Sequence, residues 1–119
     1  MSPLAHEIYR QLLRHLRAGN NSITYGALAQ AVSRKHPTHQ RSRAFYVALG
    51  EVTEACRKSA LPCLPAIVWS AGRTRPSAGY FTVAYPRART DKARLEAWER
   101  EHERVVRDAA AYPPSLPAS

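Results

Sequence analysis

Two cysteines, five histidines and nine acidic side chains are the groups in this 119-residue chain that could support catalysis or hold a metal. Cys56 and Cys63 stand seven residues apart, a spacing that matches no zinc pattern. His36 and His39 have a His-x-x-His spacing but no cysteine or carboxylate at ligand distance in sequence, so no metal is expected. A cysteine nucleophile attacks as thiolate and needs a neighbouring base. Cys63 is followed by Leu64 and Pro65, which supply none. There is no serine elbow and no glycine-rich phosphate cradle, so no cofactor is expected either. Glu96, Glu99 and Glu103 fall on one helix face within reach of Arg100, Arg104 and Arg107, and intrahelical ion pairs account for them.

The stronger signal is positive charge. Eighteen Lys and Arg against nine Asp and Glu give a formal net charge of +9, which favours a polyanionic partner. Arg34, Lys35, His36, His39, Arg41 and Arg43 form a run that no acidic residue interrupts. It leads into the stretch 40–58, a helix whose N-terminal turn carries Arg41 and Arg43 and in which Ala44, Ala48, Val52 and Ala55 recur at helical spacing, flanked by Val47, Leu49 and Cys56. A helix normally prefers acidic residues at its N-terminal end. A basic one is compensated by an external anion, for which a phosphate backbone is the obvious source. The plainer alternative is a solvated basic loop.

The elements that would position these groups follow from spacing and caps. Ser2 and Pro3 open a first helix over residues 3–18 carrying Leu4, Ile8, Leu12 and Leu16, stopped by Gly19-Asn20-Asn21. Ser22 or Thr24 caps a short second helix with Leu28, Ala29 and Val32. A basic loop broken by Pro37 then precedes the long third helix, which suggests a helix-turn-helix. Residues 66–70 and 79–85 are β-rich, and between them runs a loop bearing Arg73 and Arg75. They are expected to pair as a small hairpin, a wing. Thr90 or Asp91 caps a last helix to about residue 111, with Leu95, Trp98, His102 and Val105 on one face. The fold expected is mainly α with a small β-hairpin, a winged helix-turn-helix in a single domain over residues 1–111. Residues 112–119, rich in proline, are expected to be a flexible tail. No apolar run approaches the ~20 residues that span a bilayer, and the N-terminus lacks signal-peptide order. No membrane association, a cytoplasmic location and reduced thiols are therefore expected.

In this order of elements, the chain resembles the DNA-binding domain of alkylguanine-DNA alkyltransferases and alkyltransferase-like proteins over roughly residues 23–105. Ile23-Thr24-Tyr25-Gly26-Ala27-Leu28-Ala29 is similar to the family's Val-Ser/Thr-Tyr-Gly-Glu-Leu-Ala signature. Ser42-Arg43-Ala44 with Val47-Ala48-Leu49 resembles the opening of its recognition helix, and Pro62-Cys63 and Gly79-Tyr80 resemble its Pro-Cys and Gly-Tyr. The resemblance implies that Tyr25 and Arg43 turn a base out of the duplex, the guanidinium filling the gap. The family's Pro-Cys-His-Arg is missing. Counting back from Gly72 places the nucleophile position on Leu64, and neither alignment leaves a Cys-His unit.

The expected function is therefore duplex-DNA binding without chemistry, with modified or flipped bases as the candidate targets. Tyr25, Arg34, Lys35, Arg41, Arg43, Tyr46, Arg73 and Arg75 are the contact residues. The alternative is a basic protein-interaction module (an inhibitor, immunity protein or phage accessory factor) that binds an acidic protein partner. A nuclease or toxin fragment would need an acidic cluster for its metal, and none is evident.

Overall fold

The structure, a computed structural model, describes residues 1–116. It is mainly helical. The elements are α1 (Pro3–Arg17), β1 (Ile23–Thr24), α2 (Tyr25–Ser33), α3 (Arg43–Lys58), β2 (Val68–Trp69), α4 (Ala78–Ala84) and α5 (Asp91–Arg107). Short 3-10 turns lie at Leu64–Ile67 and Ala109–Ala111. No helix among the described residues is long and apolar enough to cross a membrane.

The caps act where the residue types put them. Ser2, Thr24, Ser42 and Thr90 each accept a hydrogen bond from a backbone N–H in the first turn of α1, α2, α3 and α5. α1 buries Ala5, Ile8, Tyr9, Leu12, Leu13 and Leu16 against α2 and α3. Each large apolar side chain so buried contributes about 1.5–3 kcal/mol. The only sheet among the described residues is a two-residue ladder, whose hydrogen bonds contribute about 1 kcal/mol each. Helix packing therefore dominates the stability, and the ladder chiefly sets direction.

That ladder differs from the expected hairpin. β1 and β2 pair in parallel, with Ile23 opposite Val68 and Thr24 opposite Trp69. Residues expected as the second wing strand instead form α4, which buries Tyr80 and Phe81. A short apolar run between turn signals has no periodicity that separates a strand from a buried helix. Contact with α3 decides the matter in favour of helix. The first strand is likewise shorter than expected, because Leu64–Ile67 winds into a fully buried 3-10 turn with Pro65 in second position.

Two further corrections concern packing. The buried stripe of α3 is Phe45, Ala48, Leu49, Val52, Thr53, Ala55 and Cys56, so Ala44 and Val47 face outward. The bulkier Phe45 buries more apolar surface than Ala44 would, and the first turn presents it to the core, while Ala48, Leu49, Val52, Ala55 and Cys56 are buried as expected. On α5, Glu96, Glu99 and Glu103 make none of the expected pairs among the described residues. Arg104 instead binds the buried Glu101 at 2.6 Å, and Arg107 binds Asp108 at 3.1 Å.

The start of the expected tail is also packed. Tyr112 and Leu116 are buried, while residues 117–119 lie outside the described residues. The Tyr112 hydroxyl donates to the Pro62 carbonyl at 2.5 Å, and its carbonyl accepts from Arg17 at 2.6 Å. The Tyr9 hydroxyl donates to the Pro113 carbonyl at 2.5 Å. Tyr112→Ala is expected to cost about 3–5 kcal/mol, in line with other large buried aromatics. Tyr112→Phe, losing one hydrogen bond, should cost about 1 kcal/mol. Thermal melting checks both, and a wild-type Tm in the alanine variant would mean that the segment is not docked.

Candidate functional site

Parallel pairing sends β1 and β2 out of the ladder at the same end. Tyr25 follows β1 directly and opens α2. The chain after β2 makes a tight loop, closed by hydrogen bonds from Ser70 N–H to the Arg75 carbonyl (2.8 Å) and from Arg73 N–H to the Ser70 carbonyl (3.1 Å). It then returns to Tyr25. The Tyr25 hydroxyl donates to Ser77 Oγ at 3.1 Å and accepts from Ser77 N–H at 2.9 Å. Ser77 precedes α4, and its hydroxyl is engaged by Tyr25 rather than capping its own helix. Tyr25 thus anchors α4 beside α3.

A pocket of about 730 Å³ opens between these elements. α3 contributes Arg43, Tyr46, Val47 and Gly50, and α4 with its leading loop contributes Ser77, Tyr80 and Val83. Tyr25, Pro65 and Val68 complete a largely apolar lining. The rings of Tyr25 and Tyr46 lie 5.6 Å apart, tilted by 39°. Tyr25 is only 7% exposed, whereas Tyr46 is 40% and Val47 53% exposed, the two large hydrophobic side chains that stand out from the surface among the described residues. Glu51 also borders the pocket, with one carboxylate oxygen engaged by the Ser2 N–H at 2.8 Å.

Of the expected contact residues, the fold brings Tyr25, Arg43 and Tyr46 together around this pocket. Arg43 is exposed at the first turn of α3, where no acidic residue stands. Arg41 lies just before the cap rather than within the helix, its N–H bonded to His39 Nδ1 at 3.0 Å. Arg34 and Lys35 are exposed at the end of α2, Lys35 at 3.9 Å from the buried Glu7 carboxylate. The loop that follows is held by Ser33, which bonds both the carbonyl and the N–H of Thr38. Arg73 and Arg75 border a different depression, on the far side of α4. Ser77, Pro65 and Gly50 had no local signature, since a residue's place on a pocket wall depends on elements remote in sequence.

The thiols are placed for packing. Cys56 and Cys63 are buried and free, and burial pushes the Cys56 thiol up to about 11 and the Cys63 thiol higher still. Both are thiols at neutral pH. Burial also raises the Tyr25 phenol, opposed by its hydrogen bonds to Ser77, and pushes Tyr9 up to about 12. No group of three or more potential metal ligands occurs among the described residues.

These buried groups set an alkaline limit on stability. Unfolding returns Cys56 to an ordinary value near 9 and Tyr9 to one near 10. Between the unfolded and folded values the unfolded chain binds fewer protons, so stability falls as pH rises. Melting temperature should hold below pH 9 and decline between pH 9 and 12. Cys56→Ala should make the decline above pH 9 shallower without abolishing it, because the buried Cys63 thiol starts from the same unfolded value; a variant whose Tm falls with pH as steeply as the wild type's would show that the Cys56 thiol is not a cause.

Comparison of the chain with family models, with curated proteins and with solved structures finds no match.

Proposed function

We propose that this chain is a non-catalytic duplex-DNA-binding protein whose pocket receives a base turned out of the stack. The observation that carries this reading is the apolar pocket with an arginine and an exposed tyrosine at its mouth, on a chain of net charge +9. An unstacked base needs a dry, flat-walled site, and extrusion costs a few kcal/mol. Pro65, Val68 and the tyrosine rings suit the base face, and Tyr46 offers a stacking surface worth about 1–3 kcal/mol. Arg43 stands where its guanidinium can replace the lost stacking in the duplex. α2, the basic loop and α3 then act as a helix-turn-helix, with Arg34, Lys35 and Arg41 on phosphates, and the loop arginines Arg73 and Arg75 hold backbone farther along. Two buried free thiols suit a reducing, cytoplasmic setting.

The pocket and the charge can be separated by substitution. A Cβ built on Gly50 meets nothing within 4 Å, and Gly50 lies within α3. Gly50→Leu should therefore fill the pocket without strain, and removing a mid-helix glycine favours the helix by about 0.5–1 kcal/mol. Fluorescence anisotropy with matched duplex, and with duplex carrying a mismatched or modified guanine, reads both properties. The wild type is expected to bind with a steep salt dependence and to prefer the duplex whose base is easier to extrude. Gly50→Leu should abolish that preference and retain general duplex affinity. Arg43→Ala should weaken binding by about 1–2 kcal/mol, roughly five- to thirtyfold. Unchanged affinity in Arg43→Ala would remove α3 from the interface. Absence of wild-type binding at low salt would instead direct attention to an acidic protein partner.

A further inference from the structure

On the far side of α4 from the pocket, a depression of about 200 Å³ is bordered by Arg73, Arg75 and Arg94, with Phe81 and Leu95 as apolar lining. We infer that these three arginines form a second, phosphate-binding clamp in which α5 takes part through Arg94. It rests on the duplex-binding reading and extends it to an element that reading leaves unused.

Three features support the assignment. First, the charge is unbalanced: three guanidinium groups face one carboxylate, that of Asp91, which is 98% exposed and 4.0 Å from Arg94 Nη1. An ion pair so exposed is weak and is readily exchanged for a phosphate. Second, Arg94 is pre-set. Its Nε donates to the Ala88 carbonyl at 3.2 Å, which fixes the stem and leaves the terminal nitrogens to bind an anion. Third, the loop that presents the other two arginines is held in a costly shape. Thr74, between Arg73 and Arg75, has φ +55°, a conformation that β-branched residues rarely adopt. Such an outlier persists only where the surroundings impose it. Here the Ser70–Arg75 hydrogen bond and Tyr25's hold on Ser77 do so.

The two sites share one short helix. Gly79, Tyr80 and Val83 of α4 face the pocket, while Ala78 and Phe81 face the arginine depression. They are therefore separated by about one helix diameter, ~10–12 Å. A nucleic-acid strand advances ~3.4 Å per nucleotide, so the clamp would meet the backbone roughly three nucleotides from an extruded base. A phosphate contact there fixes register without reading sequence.

The test is the salt dependence of duplex affinity for the wild-type chain, Arg94→Ala and Arg94→Lys, each checked for an unchanged melting temperature. Loss of one phosphate contact lowers the magnitude of the log K against log salt slope by about 0.9. Arg94→Ala is expected to show that decrement and to bind roughly five- to tenfold more weakly near 0.1 M salt. The loss should be equal for matched and mismatched duplex. Arg94→Lys should restore most of the slope. A wild-type chain that binds steeply while Arg94→Ala keeps both its slope and its affinity overturns the clamp alone. A wild-type chain with no duplex binding overturns the clamp together with the reading beneath it.

Discussion

The direction of a two-residue ladder governs the arrangement of this protein more than its size suggests. Because Ile23-Thr24 and Val68-Trp69 run parallel, the chain leaves both strands at one end. α2 and the arginine loop consequently start side by side, and the Tyr25 hydroxyl is close enough to hold Ser77 by two hydrogen bonds. An antiparallel hairpin would have returned residues 79–85 to the ladder and left no helix to wall the pocket. The ladder itself is weak, but the helices behind it supply the stability that keeps it in place.

Burial and charge are divided cleanly. The apolar stripes of α1, α2 and α3 and the 3-10 turn at Leu64–Ile67 make one core, into which Tyr112 and Leu116 also pack. The carboxylates within it, Glu7 and Glu101, are each met by a partly exposed arginine on the same helix. Most of the remaining arginine lies outside. Arg43 is at the pocket mouth, and Arg73, Arg75 and Arg94 lie behind α4. α4 is thus a thin partition between an apolar cavity and a basic depression. Its position depends on Tyr25, a residue of another element.

Much of the scaffold was legible residue by residue. Ser2, Thr24 and Thr90 cap helices where their types indicated, and the Leu and Ile spacing of α1 buries the expected face. Tyr25, Arg43 and Tyr46 line one cavity, a meeting that no spacing along the chain indicated. The stripe of α3 through Ala48, Leu49, Val52, Ala55 and Cys56 was legible, but its N-terminal end was misplaced onto Ala44 and Val47, because small residues at helical spacing imitate a buried stripe. Phe45 carried more apolar surface and prevailed there. The docked segment at Tyr112 was hidden by its prolines, which exclude helix but do not exclude packing.

What the sequence by itself determined is the set of local preferences: caps, helical periodicity, an excess of positive charge and a cysteine without a neighbouring base. These depend on residues within a turn or two of each other. Only the tertiary structure decided that residues 78–84 are helix, that the strands run parallel and that Ser77 belongs to Tyr25. It also decided that Arg94 stands with Arg73 and Arg75. Each of those outcomes depends on groups tens of residues apart, whose proximity comes from burying a common core rather than from any pattern along the chain.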